Sequence, residues 1–326
     1  MYNICMLSKK VFQLFIIGTG ENLDTALKKG LGGVIFFKDD IKSENQFCEL
    51  IYNIKKNSIL PPFLSIDQEG GKVERTENIH PKRYLSQRYA YNKGEDYLSN
   101  QTDEMLKELK NYGINMNFAP CLDVNTNPDN PIIGERAFSD KPEDVCNGYN
   151  IVKPFYDKYK ILPVIKHFPG HGDASADSHK ELPFISLSLT EMEKIHILPF
   201  KHAINNGADA VMVAHLHCKC FNKEKIPTVL SKNCLDYLRN NLNFKGVIIS
   251  DDMYMNGVAD YDMTEACIKG IKAGLNMFIY RNASDSTLNV IENVIKYAKK
   301  DEILKECIEY SYNKIINLKQ KYGIIR

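Results

Sequence analysis

Residues 162–173 read Leu-Pro-Val-Ile-Lys-His-Phe-Pro-Gly-His-Gly-Asp. A short apolar run, suited to burial on both faces, passes directly into a cation, two histidines, two glycines and an acid. A strand of a parallel sheet delivers its C-terminal end to a functional site in this way. The same grammar recurs along the chain. Phe63-Leu64-Ser65-Ile66 leads into Asp67-Gln68-Glu69-Gly70-Gly71 and then Arg75. Asn117-Phe118-Ala119-Pro120 leads to Asp123, then to Asn130-Pro131 and Gly134-Glu135-Arg136. Val247-Ile248-Ile249-Ser250 leads into Asp251-Asp252.

Counting outward from these, apolar runs rich in Val, Ile or Phe fall at 11–17, 33–37, 63–66, 114–119, 162–166, 210–214, 246–250 and 276–280. Amphipathic segments separate them. Residues 101–112 place Met105, Leu106, Leu109 and Tyr112 at helical spacing and stop at Gly113. Ser188-Leu189-Thr190-Glu191 is a capping box, predicting a helix that runs to Asn206-Gly207; another is expected from Thr264 to Gly274. The alternation predicts an α/β protein, a (β/α)8 TIM-type barrel, with a doubly wound sheet as the runner-up because periodicity alone does not show closure. No linker or low-complexity tract interrupts it, so 1–326 is expected to be a single catalytic barrel domain. Residues from about 285 to 326 would supply closing and packing helices.

Composition narrows the function classes. The 42 Lys+Arg and 41 Asp+Glu leave a formal charge of +1, with no basic block, so nucleic acid and anionic membrane surfaces are not the expected partners. No stretch approaches the ~18–20 apolar residues of a membrane span. The run after Lys9-Lys10 is short, broken by Gln13 and without a small-x-small cleavage site, so it reads as a buried first strand, not a signal peptide. Nine Cys with no C-x-x-C spacing read as reduced thiols of a cytoplasmic protein. Cys218 and Cys220 could bind metal, but ordinary thiols are the expectation.

In a barrel the C-terminal ends of all strands meet on one face. One charged residue after a strand can simply be the first solvated one; four such clusters on one face point to a site. The segments 67–71, 134–138, 166–172 with Asp177-Ser178-His179, and 250–252 resemble the signature blocks of bacterial β-N-acetylglucosaminidases of glycoside hydrolase family 3. The most specific is K-H-F-P-G-H-G-(x)₄-D-S-H-(x)₃-P, from Lys166 to Pro183. The resemblance implies a (β/α)8 barrel and retaining release of terminal β-linked N-acetylglucosamine. It also implies a role in muropeptide recycling, with a small-molecule glycoside or muropeptide as substrate. No cofactor and no metal are implied, and a monomer is expected.

The residue chemistry agrees with that implication. A retaining glycosidase needs a carboxylate nucleophile and a proton donor on opposite sides of the sugar. Asp251, at the end of the seventh strand, matches the family nucleophile, and Asp252, facing the other way on an extended chain, is expected to be structural. In Asp177-Ser178-His179 the two outer residues project to one side. Asp177 can therefore hold one imidazole nitrogen while the other faces the glycosidic oxygen. The resemblance implies the same pair, His179 as acid/base and Asp177 as its partner, on a loop whose small residues suggest a mobile lid. Asp67, Arg75, Arg136, Lys166 and His167 match the sugar-binding positions. Lys166 and His167 can both reach a ligand only if the strand ends or distorts between them. Glu69 is expected to support a turn. Lys72-Val73-Glu74-Arg75-Thr76 departs from the usual Arg-Val-Gln-Arg-aromatic run, and the absence of Trp leaves sugar stacking to Tyr or Phe.

Other readings follow from the same residues. His167, His171, Asp173, Asp177, His179, His215 and His217 include zinc-type ligands, which would suit a metal-dependent hydrolase. A non-catalytic sugar-binding barrel would be expected to lack the nucleophile or the acid. A β-glucosidase of the same family commonly takes its acid from an appended domain, for which these residues leave no room. A phosphorylase would use phosphate where a hydrolase uses water, since an imidazole repels phosphate less than a carboxylate does.

Overall fold

Eight parallel strands close on themselves in the computed structural model, which describes residues 2–80, 82–174 and 182–326. They are β1 (Phe15–Ile17), β2 (Gly33–Phe36), β3 (Phe63–Ile66), β4 (Met116–Asn117), β5 (Leu162–Phe168), β6 (Ala210–Val213), β7 (Val247–Asp252) and β8 (Met277–Tyr280). Neighbours in space are neighbours in sequence, and β1 pairs with β8 through Phe15↔Phe278 and Ile17↔Tyr280. That pairing closes the barrel and excludes the open doubly wound sheet. The strands are buried on both faces until the last residues of β7, which explains their uninterrupted Val, Ile and Phe. Two short strands outside the barrel, Phe184–Ile185 and His217–Cys218, pair with each other beyond β5 and β6.

Two predicted elements change. The expected first strand begins as helix: Tyr2–Gln13 is helical and only Phe15–Ile17 is strand. Val11 and Phe12 are fully buried in the last helical turn, so an apolar run of strand length spans a helix end and a strand start. The helix opened by Ser188 is broken into Leu189–Lys194 and Leu198–Asn205. Pro199 lacks an amide hydrogen and sits in the first turn of the second piece, where that hydrogen has no partner to lose. The other predicted helices form with their caps. Glu95–Tyr112 ends at left-handed Gly113, and Asp262 accepts from the Thr264 and Glu265 amides at the head of Met263–Ala273.

The end opposite the site is tied by polar contacts. The helix Glu302–Lys321 buries Lys319, whose Nζ donates to Gln13 Oε1 (2.8 Å) and to the Pro61 carbonyl (2.9 Å). Gln13 Nε2 in turn donates to the Gly30 and Leu31 carbonyls at the entry to β2. The described cysteine side chains are free thiols.

Candidate functional site

The loops after β3, β4, β5, β7 and β8 meet around a cavity of about 190 Å³. Its wall includes Asp67, Arg75, Arg136, Lys166, His167 and Asp251, so the six predicted site residues that lie among the described residues come together. Asp177 and His179 lie outside the described residues.

Sequence dictates how two of the loops approach. Gly70 has φ of +95°, and a Cβ there would lie 2.3 Å from the Leu85 carbonyl, so the turn after Asp67 needs glycine. At Gly172 a Cβ would lie 1.8 Å from the Val124 carbonyl oxygen, so the segment after β5 packs directly on the loop after β4. Between Ile165 and Phe168 the pairing of β5 with β6 slips, and the Lys166–His167 peptide is cis. Both side chains line the cavity, and the distortion required of the strand is present.

The polar side chains form one connected network. Lys166 Nζ is 2.6 Å from Asp67 Oδ1 and 2.6 Å from Glu69 Oε1. Glu69 also takes a bidentate pair of hydrogen bonds from Arg136 Nε and Nη2, each 2.9 Å. Arg136 Nη2 lies 3.2 Å from His167 Nε2, and His167 Nδ1 is 2.7 Å from Asp123 Oδ2. Asp123 accepts two backbone hydrogen bonds as well, from His167 (3.2 Å) and His171 (2.6 Å). Burial alone would raise the Glu69 carboxyl, but Arg136 and Lys166 outweigh it and bring the pKa down to about 2. Asp123 is likewise held well below the usual carboxylate range: burial opposes, while His167 and His171 prevail. Burial pushes His171 down to about 4, and neither of its ring nitrogens has a hydrogen-bond partner among the described residues.

Asp251 lines the same cavity near the end of β7. Burial raises its carboxyl, yet His167, His215 and the Asp252 amide, which donates to Oδ1 at 2.7 Å, hold it below its ordinary value. A carboxylate kept ionised at a strand end can act as a nucleophile or stabilise positive charge. Asp252 does not simply face away: the pairing of β7 with β8 shifts there, and Asp252 lines the same cavity. It accepts from the Tyr254 amide (3.1 Å) and pairs with Arg281 Nε (3.2 Å). Burial, and then the Asp251 charge, raise its pKa from 3.8 to about 6. The native state therefore holds this proton more tightly than the unfolded chain, so stability falls as pH rises from about 4 to 6. Asp252→Asn is expected to lack that fall, a difference that denaturant melts at pH 4 and pH 7 measure directly.

Three contributors were missed or underread from sequence. Glu69 holds two cations and is more than a turn support. Asp123, noted only as an acid after β4, orients His167. Arg281 follows β8 directly and lines the cavity, so the strand-end rule that marked Asp251 would have found it. The zinc-type reading loses two ligands: His215 Nε2 faces the Asp252 carbonyl oxygen at 3.0 Å, and His217 Nε2 faces the Asn222 carbonyl oxygen at 3.2 Å. Among the described residues the ligand-type atoms that cluster closely are those of Cys121, Asp123 and His167, and Asp123 is already engaged by hydrogen bonds.

Carboxylates, guanidinium groups and imidazoles at the C-terminal rim of a (β/α)8 barrel make a site for a polar, hydroxyl-rich ligand. Residues 6–318 match the Glycosyl hydrolase family 3 N terminal domain, and the chain belongs to that family. Beta-hexosaminidase A of Pseudoalteromonas piscicida is 32% identical over 282 residues, covering 78% of this chain and 47% of the relative. Beta-hexosaminidase of Nitrosomonas eutropha is 33% identical over 264 residues, covering 78% of this chain and 75% of the relative. A solved glycoside hydrolase family 3 beta-N-acetylglucosaminidase from Paenibacillus sp. str. FPU-7 superposes with a TM-score of 0.92 at 29% identity. That superposition covers 98% of this chain and 63% of the other. The chain thus spans about half the length of the Pseudoalteromonas relative and less than two thirds of the Paenibacillus one.

Proposed function

We propose that the chain is a retaining glycoside hydrolase that releases terminal β-linked N-acetylglucosamine, with cell-wall muropeptides in the cytoplasm as its natural substrates. The observation that carries this reading is Asp251, its carboxyl held below the ordinary pKa, lining one cavity with Asp67, Arg136, Lys166 and His167, which Glu69 ties together through its ion pairs to Lys166 and Arg136. Buried hydroxyls need both donors and acceptors, and that set offers them from fixed positions. The names of the relatives support N-acetylhexosamine as the sugar.

In the proposed reaction Asp251 attacks the anomeric carbon and the glycosidic C–O bond breaks. His179, oriented by Asp177, gives its proton to the departing oxygen. Water then loses a proton to His179 and attacks the same carbon, freeing Asp251 and the sugar with its configuration retained. Asp67, Lys166, Arg136, His167 and Arg75 hold the hydroxyls.

The deciding assay compares an aryl β-N-acetylglucosaminide with the aryl β-glucoside, each with and without inorganic phosphate. The expected result is faster release from the former, unchanged by phosphate. No turnover by folded protein would overturn the reading, and phosphate-dependent formation of a sugar 1-phosphate would replace hydrolysis with phosphorolysis. His179→Ala is expected to lose ~10²-fold or more on an alkyl glycoside and much less on a dinitrophenyl glycoside, whose leaving group needs no proton. Equal losses on both substrates, read as kcat/KM, would remove His179 from the acid role.

A further inference from the structure

The segments that follow β5 and β6 carry an aromatic pair outside the cavity. The strands Phe184–Ile185 and His217–Cys218 run parallel, with Phe184 opposite His217 and Ile185 opposite Cys218. The His217 and Lys219 amides donate to the Pro183 and Ile185 carbonyls at 2.8 and 3.0 Å. Alternation then fixes the faces: Ile185 and Cys218 are each 1% exposed, so Phe184 turns outward and is 50% exposed. Its ring centre lies 5.1 Å from that of His217, the planes tilted by 44°. The imidazole is held in turn, because its Nε2 faces the Asn222 carbonyl oxygen at 3.2 Å. A carbonyl only accepts, so Nε2 carries the hydrogen, and Nδ1 is the acceptor of the neutral ring. The pair thus offers a flat apolar face beside an acceptor for a hydroxyl.

The chain ties this pair closely to the reacting centre. Met212 on β6 lines the cavity, and His215, just beyond that strand, has Nε2 3.0 Å from the Asp252 carbonyl oxygen. A Cβ on Gly257 would lie 2.5 Å from His215 Cβ, so the loop after β7 packs directly on this segment. His217 is two residues further on, and two residues of chain span at most ~7 Å. On the other strand, Phe184 is the third described residue after the stretch that carries Asp177 and His179. In the proposed reaction Asp251 attacks one face of the sugar, and the leaving oxygen departs from the opposite face toward the proton donor. Whatever is joined through that oxygen is therefore directed away from Asp251, toward the segment after β5 that supplies His179.

We propose that Phe184 and His217 form a subsite for the leaving-group side of the substrate, and that its occupant is a second pyranose. The C–H groups on one face of that ring pack on the Phe184 ring, while a hydroxyl at its edge donates to His217 Nδ1. The proposal rests on the glycosidase reading, because that reaction sets where the leaving group lies. Neither ring lines the cavity, so the pair selects what is cleaved from the sugar and not which sugar sits over Asp251. A lone exposed phenylalanine would need no explanation. This one is paired with an oriented imidazole, on the rim that carries the site.

The test uses two substrates that share N-acetylglucosamine and differ in what leaves. Diacetylchitobiose loses a pyranose; β-N-acetylglucosaminyl fluoride loses an ion with no ring to stack. In Phe184→Ala the ratio of kcat/KM for the disaccharide to that for the fluoride is expected to fall ~5–10-fold, the size of one lost aromatic contact. Phe184→Tyr, which keeps the ring, should keep the ratio. Phe184→Leu, which keeps apolar bulk without a flat face, should not. Equal losses on both substrates in Phe184→Ala would mean general damage and would overturn the proposal, as would an unchanged ratio. Wild-type protein that cleaves the fluoride but not the disaccharide would overturn the proposal and leave the glycosidase reading standing. Cleavage of neither substrate by the folded wild type would instead defeat the glycosidase reading itself.

Discussion

Asp251→Ala is expected to abolish turnover of an aryl β-N-acetylglucosaminide, with kcat falling ~10⁴-fold or more, a size typical of losing an attacking group. Neighbouring Asp252 cannot take over. Its Oδ1 accepts from the Tyr254 and Arg281 amides and its Oδ2 faces Arg281 Nε, so both oxygens are engaged away from Asp251's position. Its pKa of about 6 also leaves part of it protonated where Asp251 is fully charged. Rate loss alone would not separate a nucleophile from a residue that shapes the pocket. Azide does: placed where the carboxylate was, it attacks the anomeric carbon from the same side and leaves as the α-glycosyl azide. Rescue by azide in Asp251→Ala, with that product seen by proton NMR, is the expected outcome. Recovery of only the β-azide, or wild-type rates in the variant, would assign nucleophilic attack elsewhere. Because its surroundings outweigh burial and hold the Asp251 pKa below its ordinary value, the carboxylate also contributes to stability at neutral pH, so Asp251→Ala is expected to be somewhat less stable and its rate is read on protein shown folded by a denaturant melt.

Much of this arrangement was legible from residues alone, for a definite physical reason. A strand buried on both faces can change character only at its ends, so Asp67, Lys166 and Asp251 stand out as the first charged residues after apolar runs. Counting eight such runs made a barrel the expected fold, but closure itself came from the pairing of the first strand with the last, which no periodicity shows. The failures have equally specific causes. Val11 and Phe12 are as apolar as a strand needs, but they occupy a helix end, and a short apolar run carries no period to tell the two apart. Arg281 follows its strand as Asp251 does, but no signature block draws attention to it. Glu69 sits next to Gly70-Gly71, and its nearness in sequence to a tight turn hid its partners, which lie 67 and 97 positions further along the chain at Arg136 and Lys166.

Glu69 is where those two explanations, turn support and charge support, predict different numbers. The turn itself is held by backbone: the Glu69 and Gly70 amides donate to the Val73 carbonyl at 2.9 and 3.1 Å. Those bonds survive Glu69→Ala, so a turn role predicts a small effect. The side chain instead neutralises two cations that are themselves buried, with side-chain exposures of 2% for Lys166 and 14% for Arg136. Removing it leaves Lys166 with Asp67 alone, and leaves Arg136 with the Ile132 carbonyl at 3.4 Å and the His167 ring. Breaking a buried pair from one side costs about 3–5 kcal/mol, because a charge stays behind without compensation. In a chain of this size that lowers the melting temperature by ~10 °C. Because the Glu69 pKa is depressed to about 2, its contribution is complete above the unfolded value of 4.5 and fades as pH falls toward 2. The wild type and Glu69→Ala should therefore converge in stability in acid and separate at neutral pH. Adding Arg136→Met to Glu69→Ala should recover part of the loss, since the stranded cation goes with it. A small, pH-independent effect of Glu69→Ala, with no coupling to Arg136, would return Glu69 to the turn.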